Sequence, residues 1–222
     1  MVDRNSLPLG MVPRPLMHTF NLLHRGIGLV VAKDASVDFH TPDFPDLYVH
    51  RRTDDKRVFP SMYDMFVGGV SSANEDPRTT AAREVSEELG LSRALSEPTA
   101  ISRALFDCTI CTSYNRCIVT VYCFQFDSSC DMISWQPEEV AWGSFVPYSV
   151  IESSAKQCIH RMLSAGSWPG EYPFALTLQN QDSKSFADFE SEVDWDSADF
   201  VPDGLLVWSE AWLRWGNRSQ ES

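Results

Sequence analysis

Three glutamates, Glu84, Glu87 and Glu88, crowd the last turns of a short predicted helix. Spacings of three and four residues make Glu84 a neighbour of both others, and like charges so placed repel by roughly 0.2–0.5 kcal/mol per pair. All three also lie towards the negative end of the helix dipole. Arg83 is the local cation that offsets them. Carboxylate oxygens are the ligands that hard divalent cations prefer. The cluster is therefore either a solvated acidic face or a place to hold a metal ion. The helix limits are readable: Asp76 suits the N-cap, Pro77 the first helical position and Gly90 the residue that ends it. Ala82, Val85 and Leu89 form an apolar stripe, and the turn of the helix puts the glutamates on the opposite side.

The whole run from Gly69 to Leu91 resembles the signature of the Nudix family. Gly69, Glu75, Arg83, Glu84, Val85, Glu87, Glu88, Gly90 and Leu91 all fall at that signature's spacing. The resemblance implies an α/β (α+β) fold, an α/β/α sandwich around a mixed sheet. It implies hydrolysis of a diphosphate bond in a small molecule such as a nucleoside diphosphate derivative. Glu84, Glu87 and Glu88 would then bind Mg²⁺ or Mn²⁺, with help from the Gly69 carbonyl. Arg83 would hold the carboxylates, and Glu75 would steady the loop. A diphosphate is densely anionic, so metal neutralises it and orients a water for attack, while a carboxylate takes the proton. Which glutamate does so differs within the family. Dimers are common there, so a homodimer is a further expectation.

A second likeness lies outside the signature. Residues 47–64, with Arg51, Arg52, Lys56, Phe59, Pro60 and Asp64, and the segment Phe200-Val-Pro-Asp-Gly are similar to Nudix proteins related to isopentenyl-diphosphate isomerase. That isomerase uses a cysteine just before the signature. Here the stretch reads Met65-Phe66-Val67-Gly68-Gly69, with no cysteine, which favours a hydrolase. An isomerase-like enzyme and a non-catalytic Nudix binding module remain the alternatives. Arg51, Arg52 and Lys56 are candidate diphosphate ligands, although adjacent arginines on a strand point to opposite faces. Glu138 and Glu139 fall where many Nudix enzymes place an extra acid. His24, His50 and His160 read as packing or surface residues.

Several elements must position these groups. Strands are predicted at 24–32, 47–52, 63–69, 99–113, 116–126 and 139–147, with Ser113-Tyr-Asn115 as a hairpin turn. Helical spacing returns at 150–165. Pro202 opens a terminal helix anchored by Leu205, Leu206, Trp208, Trp212 and Leu213. The organisation expected is an irregular arm at 1–22, the Nudix domain at 23–168, and a C-terminal extension at 169–222 packed on it. That extension contains an acidic segment with interleaved aromatics, 182–200.

The chain has 222 residues, 43% of them apolar, enough for one core with extensions. Its net charge of −13 argues against nucleic acid or an anionic membrane as partner. No signal-type apolar run opens the chain and no stretch nears 18 apolar residues, so a cytoplasmic protein is expected. Cys108 and Cys111 form a C-x-x-C without a second pair, which reads as buried reduced thiols in a strand rather than a zinc or redox site.

Overall fold

Strand β1 (His24–Lys33) is buried along almost its whole length, as expected of a strand covered on both faces. It runs parallel to β6 (Arg116–Phe126) and antiparallel to β4 (Val67–Val70), and touches β2 (Leu47–Arg52) at Ala32↔Leu47. Strand β2 also pairs with β3 (Tyr63–Asp64) and β7 (Val140–Val146), while β6 carries β5 (Phe106–Cys111) at the far edge. The result is one mixed seven-stranded sheet. The computed structural model describes residues 1–35, 37, 44–169 and 192–215.

The alternation of side chains divides two cores between the faces. Leu29 and Val31 join one cluster with helix α2 (Pro77–Leu89) and Ala94 of helix α3 (Arg93–Ser96). Val30 and Ala32 join the other, with α4 (Tyr148–Ser164) and the terminal helix α5 (Pro202–Trp215). Helices on both faces make the α/β/α sandwich that the signature implies. Trp195, Phe200, Leu205, Trp208 and Trp212 all belong to the α4 side of the core.

Four details differ from the sequence reading. The arm at 1–22 contains a helical turn, α1 (Arg14–Thr19), started by prolines and anchored by buried Met17. The strand expected at 99–113 is confined to 106–111, because Pro98–Ala100 forms a 3₁₀ turn and Ile101 makes only an isolated bridge to Phe124. Leu213 is 38% exposed and anchors nothing. Of the C-x-x-C pair expected to be buried, Cys111 is exposed and Cys108 half-buried, because they sit on the edge strand β5, whereas Cys117, Cys123 and Cys158 are buried thiols. The first part of the acidic segment, 182–191, lies outside the described residues.

Candidate active site

Helix α2 is bounded as its caps dictate. The Asp76 carboxylate accepts the Arg78 N–H at 2.9 Å, and Gly90 takes the left-handed φ of 70°. Its buried side, however, is centred on Ala81, Val85 and Leu89 rather than on Ala82. Seven residues past Ala81, Glu88 returns to within about 20° of it, and Glu84 lies about 60° away. The two carboxylates therefore flank the buried stripe and face the sheet, not the opposite side. Glu87 points outwards: its side chain is 55% exposed against 15% for Glu84.

Glycine 69 makes room for this. The Glu84 carboxylate lies on its α-carbon, where a β-carbon would overlap it. Gly69 is held opposite Ile27 in the β1–β4 ladder. Its carbonyl packs over Gly26, beside the buried Cys117 thiol. Arg83 ties the acids together. Its Nη1 lies 2.9 Å from Glu84 and 3.0 Å from Glu87, and its Nε lies 3.3 Å from Glu75. Glu75 also accepts the Ser72 N–H at 3.1 Å, which fixes the loop between β4 and α2.

Charge balance is unusual around Glu88. Burial raises its pKa to about 8, and the charges of Glu84 and Asp64 push the same way against Lys56 and Arg52. Burial likewise raises Glu84, against the pull of Arg83. Asp64 is pushed up to about 7 by burial, although it accepts the Phe66 N–H at 3.0 Å. Asp64 closes the stretch of the second likeness, before the signature, but it was not put forward there as a candidate site acid. The signal available was a lone carboxylate between strand residues that turn out to be buried. Lys56 forms an ion pair with Glu139, and its ammonium also feels Glu88 and Glu84.

The loop after β6 delivers Glu139. Its backbone docks on the end of α2, with Ser134 N–H on the Leu89 carbonyl and Gln136 N–H on the Glu88 carbonyl, each at 2.9 Å. Glu138 is exposed and contributes only its carbonyl, to the Thr53 hydroxyl. The two arginines separate as strand geometry requires. Arg51 pairs with Asp54 and donates to the Ser61 carbonyl, whereas Arg52 donates to the Val58 carbonyl at 3.1 Å and its charge favours the ionised forms of Asp64 and Glu88. His24 and His50 are buried; burial holds His50 neutral, with its pKa near 3.

A hard cation fits this donor set. Glu84 and Glu88 supply oxygen ligands that are withdrawn from water, where burial opposes their ionisation. Among the described residues, no three ligating side chains are gathered as a ready cage. Mg²⁺ does not need one, since it keeps several waters and takes one or two carboxylates beside a substrate phosphate.

A NUDIX domain model matches residues 33–162. The chain is 35% identical over 144 residues to an uncharacterized Nudix hydrolase of Rhodococcus erythropolis, spanning 64% of this chain and 72% of that protein. It is also 35% identical over 152 residues to an uncharacterized Nudix hydrolase of Streptomyces coelicolor, spanning 68% and 75% respectively. Among solved structures, a protein from Deinococcus radiodurans aligns with a TM-score of 0.50 at 20% identity, over 80% of this chain and 94% of that one. This last likeness is one of fold alone.

Proposed function

The chain belongs to the Nudix hydrolase family, as a pyrophosphohydrolase, and from that premise we propose that it splits a diphosphate bond in a small molecule with the aid of Mg²⁺ or Mn²⁺. One observation carries this reading. Glu84 lies against Gly69 and Glu88 is buried one turn further on, so that burial opposes the ionisation of both carboxyls and a bound cation would restore it.

Glu84, Glu88 and the Gly69 carbonyl would hold the ion, with Glu87 tied through Arg83 at the rim. Held there, such a cation would offset the charge of the diphosphate and make a water more acidic. Arg83 keeps the Glu84 carboxylate in place through a charge-assisted bond. Arg52 and Lys56 supply positive charge for the phosphates, Lys56 by exchanging its Glu139 partner for a phosphate oxygen. Glu139, freed of Lys56, accepts the proton of the attacking water. It suits that role because it is partly withdrawn from solvent and its loop is bolted to the end of α2.

The test is Glu88→Gln, assayed for phosphate release with Mg²⁺ or Mn²⁺ against nucleotide sugars, dinucleotides and isoprenoid diphosphates. Turnover should vanish while the circular dichroism spectrum stays unchanged. Full activity in that variant would overturn the assignment.

A further inference from the structure

A chain of contacts leads outwards from the charged centre. Arg52, whose positive charge reaches Glu88 and Asp64, donates to the Val58 carbonyl at 3.1 Å. Next to Val58, the Phe59 ring meets the Tyr114 ring edge-on, with centroids 5.6 Å apart. The Tyr114 hydroxyl donates to Asp203 Oδ1 at 3.1 Å, and Asn115 Nδ2 donates to Asp203 Oδ2 at 2.6 Å. Gly204, the next residue, has its α-carbon against Asp64, since a β-carbon there would lie 2.8 Å from Asp64 Oδ1. Three distant parts of the chain meet here: the loop after β2, the β5–β6 turn and the start of α5.

The loop is held in a costly shape to do this. Phe59 and Ser61 both adopt left-handed φ, at 53° and 62°, which costs a side chain of Phe's size appreciable strain. Ser61 is clamped by Asp54 at 2.5 Å and by Arg51 at 3.0 Å. That clamp presents Phe59, and leaves Val58 and Tyr114 exposed beside the charged centre, at 52% and 39%.

We propose that Phe59 and Tyr114, backed by Asp203, recognise the part of the substrate beyond the diphosphate, and that this part is a planar ring bearing hydrogen-bond donors. The inference rests on the diphosphate-hydrolase reading above, and its Asp203 lies outside the matched domain, residues 33–162. A flat ring stacks on the open face of Tyr114, whose other contacts are fixed by Phe59 and Asp203. A carboxylate has about four lone-pair sites, and Tyr114 and Asn115 use two of them. Donors on the ring engage the remainder. An aliphatic chain would desolvate them with nothing in return, so alkyl diphosphates are selected against.

The experiment compares wild type, Phe59→Ala, Tyr114→Ala and Tyr114→Phe on ADP-ribose and on isopentenyl diphosphate. For ADP-ribose, KM should rise about tenfold in both alanine variants, the loss of one stacking contact, with kcat within about twofold. Tyr114→Phe should keep most of the affinity. Isopentenyl diphosphate, a poorer substrate of wild type, should be indifferent to all three changes. Equal effects on both substrates, or none, would overturn the proposal. Calorimetric titration of AMP into Glu88→Gln separates it from the hydrolase reading. If wild type turns over neither diphosphate, that reading fails, yet AMP binding weakened by Tyr114→Ala still supports the subsite. AMP that does not bind, or binds regardless of Tyr114, overturns it.

Discussion

The carboxylate of Glu84 rests on the α-carbon of Gly69, in space that any side chain at 69 would claim. Gly69 has no left-handed φ to explain it. Its glycine is a matter of close approach. Gly69→Ala should push Glu84 away from its place beside Arg83 and lower metal affinity by about 10- to 100-fold, the usual effect of disturbing the support of a metal ligand. Mn²⁺ titration followed by calorimetry measures this. Unchanged affinity would remove Glu84 from the metal site.

Local chemistry made much of α2 legible. Asp76, Pro77 and Gly90 act on backbone groups within a few residues, so the helix limits could be read directly. The choice of buried face could not. Ala81 and Ala82 differ by one step of the helix, and only the sheet beneath decides between them. That single step moved Glu84 and Glu88 from the outer side to the inner. Asp64 and Asp203 lay within the two stretches that carried the second likeness, but their convergence with Tyr114 was beyond reach for a different reason. The three are 50 and 89 positions apart in sequence and meet only through tertiary packing, which no short window encodes.

Stability should fall with rising pH in the metal-free protein. Glu88 has its pKa raised from 4.5 to about 8, and Asp64 from 3.8 to about 7. Between pH 6.5 and 8 the folded chain therefore holds protons that the unfolded chain has released, and stability is lost as pH climbs. His50 does not blur this window, because its depressed pKa acts only below 6.5. The slope approaches about 1.4 kcal/mol per pH unit for each protonated carboxyl. Urea denaturation at pH 6.5 and pH 8 reads it directly. Glu88→Gln should flatten the slope, and Mg²⁺ should stabilise more at pH 8 than at pH 6.5.

The two neighbouring arginines should separate in kinetics. The charge of Arg52 acts on Glu88 and Asp64, whereas Arg51 is engaged by Asp54 and the Ser61 carbonyl. Arg52→Met should raise KM for a diphosphate by about 10- to 100-fold, the worth of a hydrogen bond to a charged group. Arg51→Met should alter KM far less, and act through the loop it clamps. Equal effects from the two changes would contradict the placement of Arg52 at the phosphates.

The start of α5 reaches the site only because the core seats it. Phe200 is 1% exposed, its ring lies 6.2 Å from that of Tyr63, and its N–H points at the Cys158 sulfur, 3.5 Å away. On either side of it, the Asp199 carbonyl accepts the Tyr63 N–H and the Val201 N–H donates to the Tyr63 carbonyl, each at 2.8 Å. Phe200→Ala should therefore cost about 3–5 kcal/mol in chemical denaturation of the full chain, as a large buried ring does when removed. Leu213→Ala, at an exposed position on the same helix, should cost less than about 0.5 kcal/mol. Because Asp203 and Gly204 lie three and four residues after Phe200, Phe200→Ala should also raise KM before the protein unfolds, in conditions where Leu213→Ala behaves as wild type. A destabilised variant with native kinetics would show that this segment props the fold without shaping the site.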